Sequence, residues 1–338
     1  MINAAVIGVG RLGPVHVNNL LRIPTKVNIV AICDLKEDRA DYYAKISNSK
    51  PYTDYKKMLE KEKIDAVFVI TETHNHYDIV IDCAKAGKNI FCEKPIAETL
   101  EKAKKIKEIV SKMKIKFQVG YMRRFDPAYS QAYKMIEEGK IGKLLMFKST
   151  SRDPFAPPEW ACDPKMGGGL YMDMHTHDFD LARWFMKDEV GEVFVNDSNL
   201  LNLKYDIPNL KDNTIISIRF NNGSLSVIDG NWNAVGGYDV RSEISGSNGF
   251  ITVGQLHYQP ITLFSEGGLT NVSTYQTVNN NPHFMYRFGE AYFLEDESFI
   301  NNINENKEPL INVNDGFEAI RIADAAQRSS DNKCIVKL

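Results

Sequence analysis

The chain has 338 residues, 43% of them hydrophobic and 25% charged, with a formal net charge of -3 and a pI near 6.2. That length and composition suit two soluble globular domains, each able to bury a core, and the charge offers no basic field for nucleic acid. No apolar run is long enough to span a bilayer, the N-terminus enters a strand with no signal peptide, and five scattered cysteines without C-x-x-C spacing fit reduced thiols in the cytoplasm.

Ala4 to Ile7 reads as a short buried strand, and Gly8-Val9-Gly10-Arg11-Leu12-Gly13 follows it directly, opening a helix from Pro14 to about Arg22. This is the G-x-G-x-x-G pattern in context. Gly8 permits a tight turn, Gly10 lets backbone approach a pyrophosphate, and Gly13 lets the helix pack on the strand with its amides facing the phosphates. The next strand, Val27 to Cys33, ends in Asp34, near the roughly 20-residue offset of an acid that binds the adenosine ribose. A carboxylate there accepts bonds from a 2'-hydroxyl and repels a 2'-phosphate, which favours NAD, although Lys36 lies close enough to blunt the effect.

Helices and strands then alternate. Helices are expected at Lys36 to Ile46, from Asp54, at Asn75 to Ala86 and at Leu100 to Met113. Strands are expected at Pro51 to Thr53, Asp65 to Ile70, Asn89 to Cys92 and Lys116 to Gly120. Such alternation means a parallel sheet with right-handed crossovers, and ligands sit beyond the carboxyl ends of its strands. Thr71 to His76 and Glu93-Lys94-Pro95 are site candidates by that position.

Beyond Tyr121 the texture changes: a helix near Pro127 to Glu138, a strand Lys143 to Ser151, a proline-rich loop at 154–158, then three glycines, Gly167 to Gly169. The apolar-periodic run from Leu170 to Met186 reads as one helix carrying Asp173 and His177 at i, i+4, on one face and one turn apart, with His175 on another face. A carboxylate one turn below an imidazole orients it and raises its proton affinity, as a general base for an alcohol requires. The same pair could instead cap the helix and fill a polar niche. A metal site built on Asp173, His175, His177 and Asp178 is disfavoured because i, i+2 histidines do not share a helical face. From Glu192 short alternating runs with Asn222-Gly223 and Asn248-Gly249 turns predict an antiparallel or mixed sheet. Residues 316–329 form an amphipathic helix.

These motifs, together with Gly120-Tyr121-Met122-Arg123-Arg124 and Gly237-Tyr238-Asp239, resemble the glucose-fructose oxidoreductase and inositol dehydrogenase superfamily over essentially the whole chain, and the inositol 2-dehydrogenase branch in particular. The resemblance implies an α/β protein with an N-terminal Rossmann parallel sheet in residues 1–121, onto which helix 316–329 packs back. A C-terminal α+β domain in residues 122–315 would carry a large open, mixed, mostly antiparallel sheet, used for substrate binding and, because a large uncovered apolar sheet face is unlikely in a soluble monomer, for assembly into a homodimer or tetramer.

It also implies Lys94, Asp173 and His177 as catalytic residues, with His177 taking the hydroxyl proton, Asp173 steadying it and Lys94 orienting substrate and nicotinamide. The Lys94-Pro95 peptide is expected to be cis. NAD contacts are expected from Gly8, Gly10, Arg11, Leu12, Gly13, Asp34, Thr71, Thr73, His76, Glu93, Lys94 and Met122. Arg123, Asp153 and Tyr238 would line a polyol pocket; the lesser reading, from the residues alone, makes Arg123 and Arg124 surface charges. The segment Asn231 to Gly236, just before Tyr238, departs from the inositol branch.

The reading that follows is an NAD-dependent oxidation of a ring hydroxyl of myo- or scyllo-inositol to the ketone. An aldose or sugar derivative as substrate keeps the same chemistry. A cofactor-sensing regulator of the same fold is a third reading, against which Lys94, Asp173 and His177 stand together, because a sensor needs no base beside a hydride acceptor.

Overall fold

The computed structural model describes residues 1–200, 205, 207, 210–232, 234, 238–254, 261–265, 268–272 and 284–338. Asn233, Val235, Gly236 and Gly237, part of the segment before Tyr238, lie outside the described residues. Two compact units are formed, one from 1–122, 165–167 and 292–320 and the other from 123–164, 168–291 and 321–338.

In the first unit the elements run β1 (Ile2–Ile7), α1 (Gly13–Leu21), β2 (Val27–Cys33), α2 (Glu37–Ser47), β3 (Lys50–Tyr52), α3 (Tyr55–Lys61), β4 (Ala66–Val69), α4 (Thr73–Lys85), β5 (Asn89–Glu93), α5 (Leu100–Met113) and β6 (Phe117–Gly120). The six strands pair in the order β3-β2-β1-β4-β5-β6, all in parallel. This is the order of a Rossmann sheet, whose switch point between β1 and β4 opens a crevice at the strands' carboxyl ends. Strands such as Ala66–Val69 are buried at every position, as a sheet covered on both faces requires. Polar side chains start the helices where the sequence supplies them: Asp54 accepts from the amides of Lys56 and Lys57, and Thr99 from that of Lys102.

The second unit begins with a short 3-10 helix, Met122–Phe125, shared at its first residue with the first unit. It continues through α6 (Pro127–Glu137), β7 (Leu144–Arg152), α7 (Glu159–Cys162), α8 (Gly169–Asp173), α9 (Thr176–Met186), β8 (Val190–Ser198), β9 (Asn213–Phe220), β10 (Leu225–Asn231), β11 (Asp239–Gly246), β12 (Gly249–Val253), β13 (Ile261–Ser265) and β14 (Gly268–Val272). After these come α10 (Phe284–Asn304), α11 (Val313–Asn332) and β15 (Val336–Lys337). Nine strands among the described residues form one sheet, β14-β13-β12-β11-β7-β10-β9-β8-β15. Its pairs are antiparallel except β7 with β10, which is parallel. The sheet is therefore mixed and mostly antiparallel.

Three features differ from the sequence expectation. The 170–186 run is two helices, α8 and α9, not one. The amide of His175 reaches back to the Leu170 carbonyl at 3.3 Å, five residues away, alongside that of Met174 at 3.2 Å, and this widened turn breaks the 3.6-residue period. Secondly, residues 292–315 were expected in the second domain, but Tyr292–Ile320 clusters with the first unit. The reason is apolar: Phe299 and Ile300 are buried in the core of Val6, Phe68 and Phe91. The terminal helix, at 313–332 rather than 316–329, belongs to the first unit only as far as Ile320. There Gly316 packs so closely on Ile96 and Val119 that a Cβ would lie 3.0 Å from each.

Thirdly, the open face of the large sheet is not an apolar plane. Met146, Ile215, Leu225 and Val227 share it with Lys148, Arg152, Arg219, Asp229 and Glu243, by the strand registers. Among the described residues no helix is long and apolar enough to cross a membrane.

Phe68 stacks on Phe91 with centroids 5.1 Å apart, and Phe299 meets Phe68 edge-on at 5.5 Å. Phe299→Ala is expected to leave a cavity there and to lower unfolding free energy by about 3–5 kcal/mol, read as a reduced midpoint in urea denaturation at unchanged slope.

Candidate active site

In the first unit the glycine loop has the shape of a phosphate cradle. Gly8 sits at φ 94°, and a Cβ on it would lie 2.5 Å from the Ile70 carbonyl oxygen at the end of β4. A Cβ on Gly13 would lie 2.2 Å from the Gly8 carbonyl oxygen. No larger residue fits either place. Gly10 is exposed, and a Cβ on it would come no nearer than 3.8 Å to another side chain, the Arg39 guanidinium. Arg11 and Leu12 complete the turn into α1, which carries no side-chain cap and no acid in its first turn. Its positive end therefore suits an anion such as a pyrophosphate.

Asp34 ends β2 and also organises the loop: Oδ2 accepts from the Val9 amide at 2.8 Å and Oδ1 from the Lys36 amide at 2.9 Å. Each oxygen retains acceptor capacity for a ribose hydroxyl. Beside the loop lies a cleft of about 390 Å³ lined by Val9, Gly10, Asp38, Arg39, Tyr42 and Tyr43. The last four carry no sequence motif. Their signal is positional, one turn into the helix that follows Asp34.

At the ends of β4 and β5 the candidate residues divide by exposure. Thr71 is half-buried and donates through Oγ1 to the Glu72 carbonyl at 3.3 Å; Thr73 opens α4 and is buried. His76 is buried, with Nδ1 2.9 Å from the Pro95 carbonyl oxygen and Nε2 3.0 Å from that of Thr71. It joins the two strand-end loops, so its ring is committed to protein carbonyls. Burial also lowers its proton affinity, against those two hydrogen bonds. Glu93 turns inward and accepts from the Lys94 amide through Oε2 at 3.1 Å. Lys94 is half-buried, and the Lys94-Pro95 peptide is cis. Met122 is buried at the start of the 3-10 helix.

In the second unit the three glycines have a use. Gly168 and Gly169 both take positive φ, 84° and 71°, a pair of left-handed residues that a side chain would oppose. α8 then ends at Asp173 and α9 starts at Thr176, whose hydroxyl closes the break by donating to the Met172 carbonyl at 2.8 Å. His177 is the second residue of α9 and is 7% exposed. Asp173 reaches Cys162 electrostatically, so that burial first and Asp173 second push that thiol up to about 12. The simple i, i+4 relation on one helix therefore does not describe Asp173 and His177.

Arg123 and Arg124 are buried, not surface charges. Arg123 donates to Asp178 Oδ1 at 2.8 Å and to the Ser151 hydroxyl at 3.2 Å, while Arg124 grips Asp180 with two bonds at 2.8 and 2.6 Å. Asp178 is a hub, accepting also from Ser149 at 2.7 Å, Ser151 at 2.8 Å and His175 Nδ1 at 2.8 Å. The imidazole of His175 fits because residue 230 is glycine, where a Cβ would lie 2.5 Å from the ring. Asp178 was weighed only as part of a disfavoured metal site, and Ser149 and Ser151 were not foreseen as site residues. The available signal was two adjacent arginines and two aspartates at i, i+2, equal numbers of opposite charges in two short stretches.

Asp153 caps the end of β7, its amide donating to the Asn231 carbonyl at 3.1 Å. It lies near Tyr238, whose hydroxyl is raised well above the usual phenol value by burial and then by Asp153, with Arg123 opposing through charge and a hydrogen bond. Arg123, Asp153 and Tyr238 thus come together.

Residues 2–121 match the NAD-binding Rossmann fold of an oxidoreductase family, and residues 133–338 match that family's C-terminal alpha/beta domain. The chain belongs to the glucose-fructose oxidoreductase and inositol dehydrogenase family. It is 36% identical over 334 residues to a myo-inositol 2-dehydrogenase of Thermotoga maritima, covering 98% of this chain and 97% of the relative. The structure of a Lactobacillus casei scyllo-inositol dehydrogenase with bound NAD(H) and scyllo-inositol superposes with a TM-score of 0.85 at 27% identity, covering 100% and 99% of the two chains. A levoglucosan dehydrogenase in complex with NADH and levoglucosan superposes with a TM-score of 0.89 at 26% identity, covering 99% of each chain.

Burial alone would raise the Asp178 carboxyl, but the Arg123 charge and the His175 hydrogen bond outweigh it and hold it down to about 2. A depressed carboxylate stabilises the fold fully above its unfolded value near 3.9 and loses that contribution as pH falls through the folded value, about 2 kcal/mol in all. Denaturation between pH 2 and 5 is expected to show this acid-side slope in the parent and its loss in Asp178→Asn. The variant should also be less stable at pH 7, because Arg123 stays buried without its carboxylate.

Proposed function

We propose that this protein is an NAD-dependent dehydrogenase that oxidises one ring hydroxyl of a cyclic polyol, myo- or scyllo-inositol, to the ketone. The observation that carries the reading is the presence in one chain of a dinucleotide cradle ending in Asp34 and a nearly buried histidine, His177, with Asp173 in the helix before it. A base and a hydride-acceptor site together specify alcohol oxidation. The 36% identity to a myo-inositol 2-dehydrogenase supplies the substrate class.

The glycine loop and the positive end of α1 hold the pyrophosphate, and Asp34 takes the adenosine ribose. Bound NAD supplies the hydride acceptor. His177 accepts the hydroxyl proton, and Asp173 stabilises the imidazolium that results. Lys94 donates to the substrate oxygen as negative charge develops there. Tyr238 and Asp153 meet other ring hydroxyls, while Arg123, held by Asp178, sets the Tyr238 hydroxyl from behind. The likeness to a levoglucosan dehydrogenase favours a second substrate class, an anhydrosugar; turnover of inositols against levoglucosan and aldoses, followed as NADH absorbance, separates the two.

The protein is read as cytoplasmic on the strength of its free cysteines, four buried and one exposed. It is read as a homodimer or tetramer on the apolar residues Met146, Ile215 and Leu225 of the open sheet face.

His177→Ala is expected to lower turnover about 10²- to 10⁴-fold with NAD affinity nearly unchanged, measured by steady-state kinetics and by NADH fluorescence titration. Wild-type turnover in a folded variant would make the histidine structural. Asp34→Ser with Leu35→Arg is expected to move preference toward NADP by removing the repulsion and adding a phosphate partner, since Leu35 is 87% exposed. A parent enzyme that already prefers NADP would overturn the role given to Asp34.

A further inference from the structure

The first unit encloses a polar cluster that the reaction scheme leaves unused. His16, on α1, is fully buried and uses both ring nitrogens: Nδ1 lies 2.8 Å from Asp296 Oδ1 and Nε2 3.2 Å from Glu93 Oε1. Asp296 is held in turn by Asn19, whose Nδ2 donates to Oδ2 at 2.9 Å. Aromatic rings wall the imidazole, with Phe91 5.2 Å and Tyr292 6.0 Å away between centroids. Glu295, next in the chain, is buried too, and neither of its carboxyl oxygens has a hydrogen-bond partner among the described residues.

The far end of this chain of contacts is the catalytic strand end. Glu93 spends Oε1 on His16 and Oε2 on the Lys94 amide. Its carboxylate is seated by Gly120, its register partner on β6, where a Cβ would lie 2.9 Å from Oε1. On the other side, the Pro95 carbonyl is held by His76. The backbone bearing Lys94 is therefore clamped on both flanks, and one clamp runs inward through Glu93 to His16 and Asp296.

We infer that His16 is a positioning residue for Lys94: gripped by Asp296, it holds Glu93 so that Glu93 fixes the Lys94 backbone and aims its ammonium at the reacting oxygen. The proton on His16 is well retained. Burial works against it, but Asp296 and Glu93 outweigh burial and push the imidazole up to about 10, while burial beside Glu93 and Asp296 keeps the Glu295 carboxyl well above the usual range. A protonated imidazole donates from both nitrogens and so can bind both carboxylates at once. This inference rests on the catalytic role proposed for Lys94.

The test is steady-state kinetics of the full-length protein with NAD and inositol. His16→Gln, Glu93→Gln and Asp296→Asn are each made alone and in a Lys94→Ala background, read as single-turnover rates with excess enzyme where steady-state turnover falls below detection. Each single variant is expected to lose about 10- to 100-fold in kcat, the scale of a displaced catalytic group, with inositol KM changed by less than about threefold. In the Lys94 background the further loss should be below about twofold, because a residue that acts through Lys94 has nothing left to position.

An equal loss in both backgrounds, tracking the fall in melting temperature, would mean that His16 only holds α1 to α10 and would overturn the inference. So would wild-type kcat in His16→Gln when Lys94→Ala is impaired. Wild-type turnover in Lys94→Ala would instead remove the catalytic role of Lys94, and the inference with it. Should His16→Gln not fold, Asn19→Ala loosens Asp296 without touching the imidazole; it is expected to show a smaller kcat loss that likewise vanishes without Lys94.

Discussion

A carboxylate that stays ionised away from water needs donors on both oxygens, and each half of the proposed chemistry hangs on one that has them. In the second unit Asp178 collects Arg123, Ser149, Ser151 and His175 and thereby fixes the start of α9, where its neighbour in sequence is His177. In the first unit Glu93 plays the corresponding part for Lys94. Breaking such a contact strands a buried charge, which costs far more than the hydrogen bond is worth in water. The side chains proposed to react are thus held by groups that take no part in the proposed chemistry.

The fold was legible where periodicity is unbroken. The apolar stripe of Leu100–Met113 gave a helix over those residues, and the strand-glycine-helix pattern at 4–22 gave β1 and α1. It misled where one contact overrides periodicity. The run 170–186 looks like one amphipathic helix because apolar residues recur at helical spacing on both sides of the break. At the widened turn His175 meets Asp178, three residues on in α9, and Gly230 on β10, and the second of these contacts comes from a distant element.

The site was legible at glycines and at strand ends, where residue type and position together limit the chemistry. Burial of arginine was not. A tandem Arg-Arg after a strand is usually solvated, and only strand β7, bringing Ser151 beside Asp178, shows that Arg123 points inward. Residues 292–315 were misplaced for a related reason. Their link to the first unit is carried by Phe299, Ile300 and Asp296, and nothing local in the sequence announces partners some 280 residues away, the separation of His16 and Asp296.

The parallel pairing of β7 with β10 has a consequence for how the chain is made. β7 lies between β10 and β11 in the sheet, and the register partner of Thr150 on β10 is 79 residues further on. During synthesis from the N-terminus β7 emerges with neither neighbour available, so it stays an unpaired strand until β10 has been added and keeps one open edge until β11 follows. Pairings of such long loop length are slow, because closure entropy is lost before contacts repay it. The serines that will seat Asp178 are on that waiting strand. The half of the protein that bears His177 is thus completed late, and a nascent chain stalled before residue 225 would expose an edge prone to pairing with its neighbours.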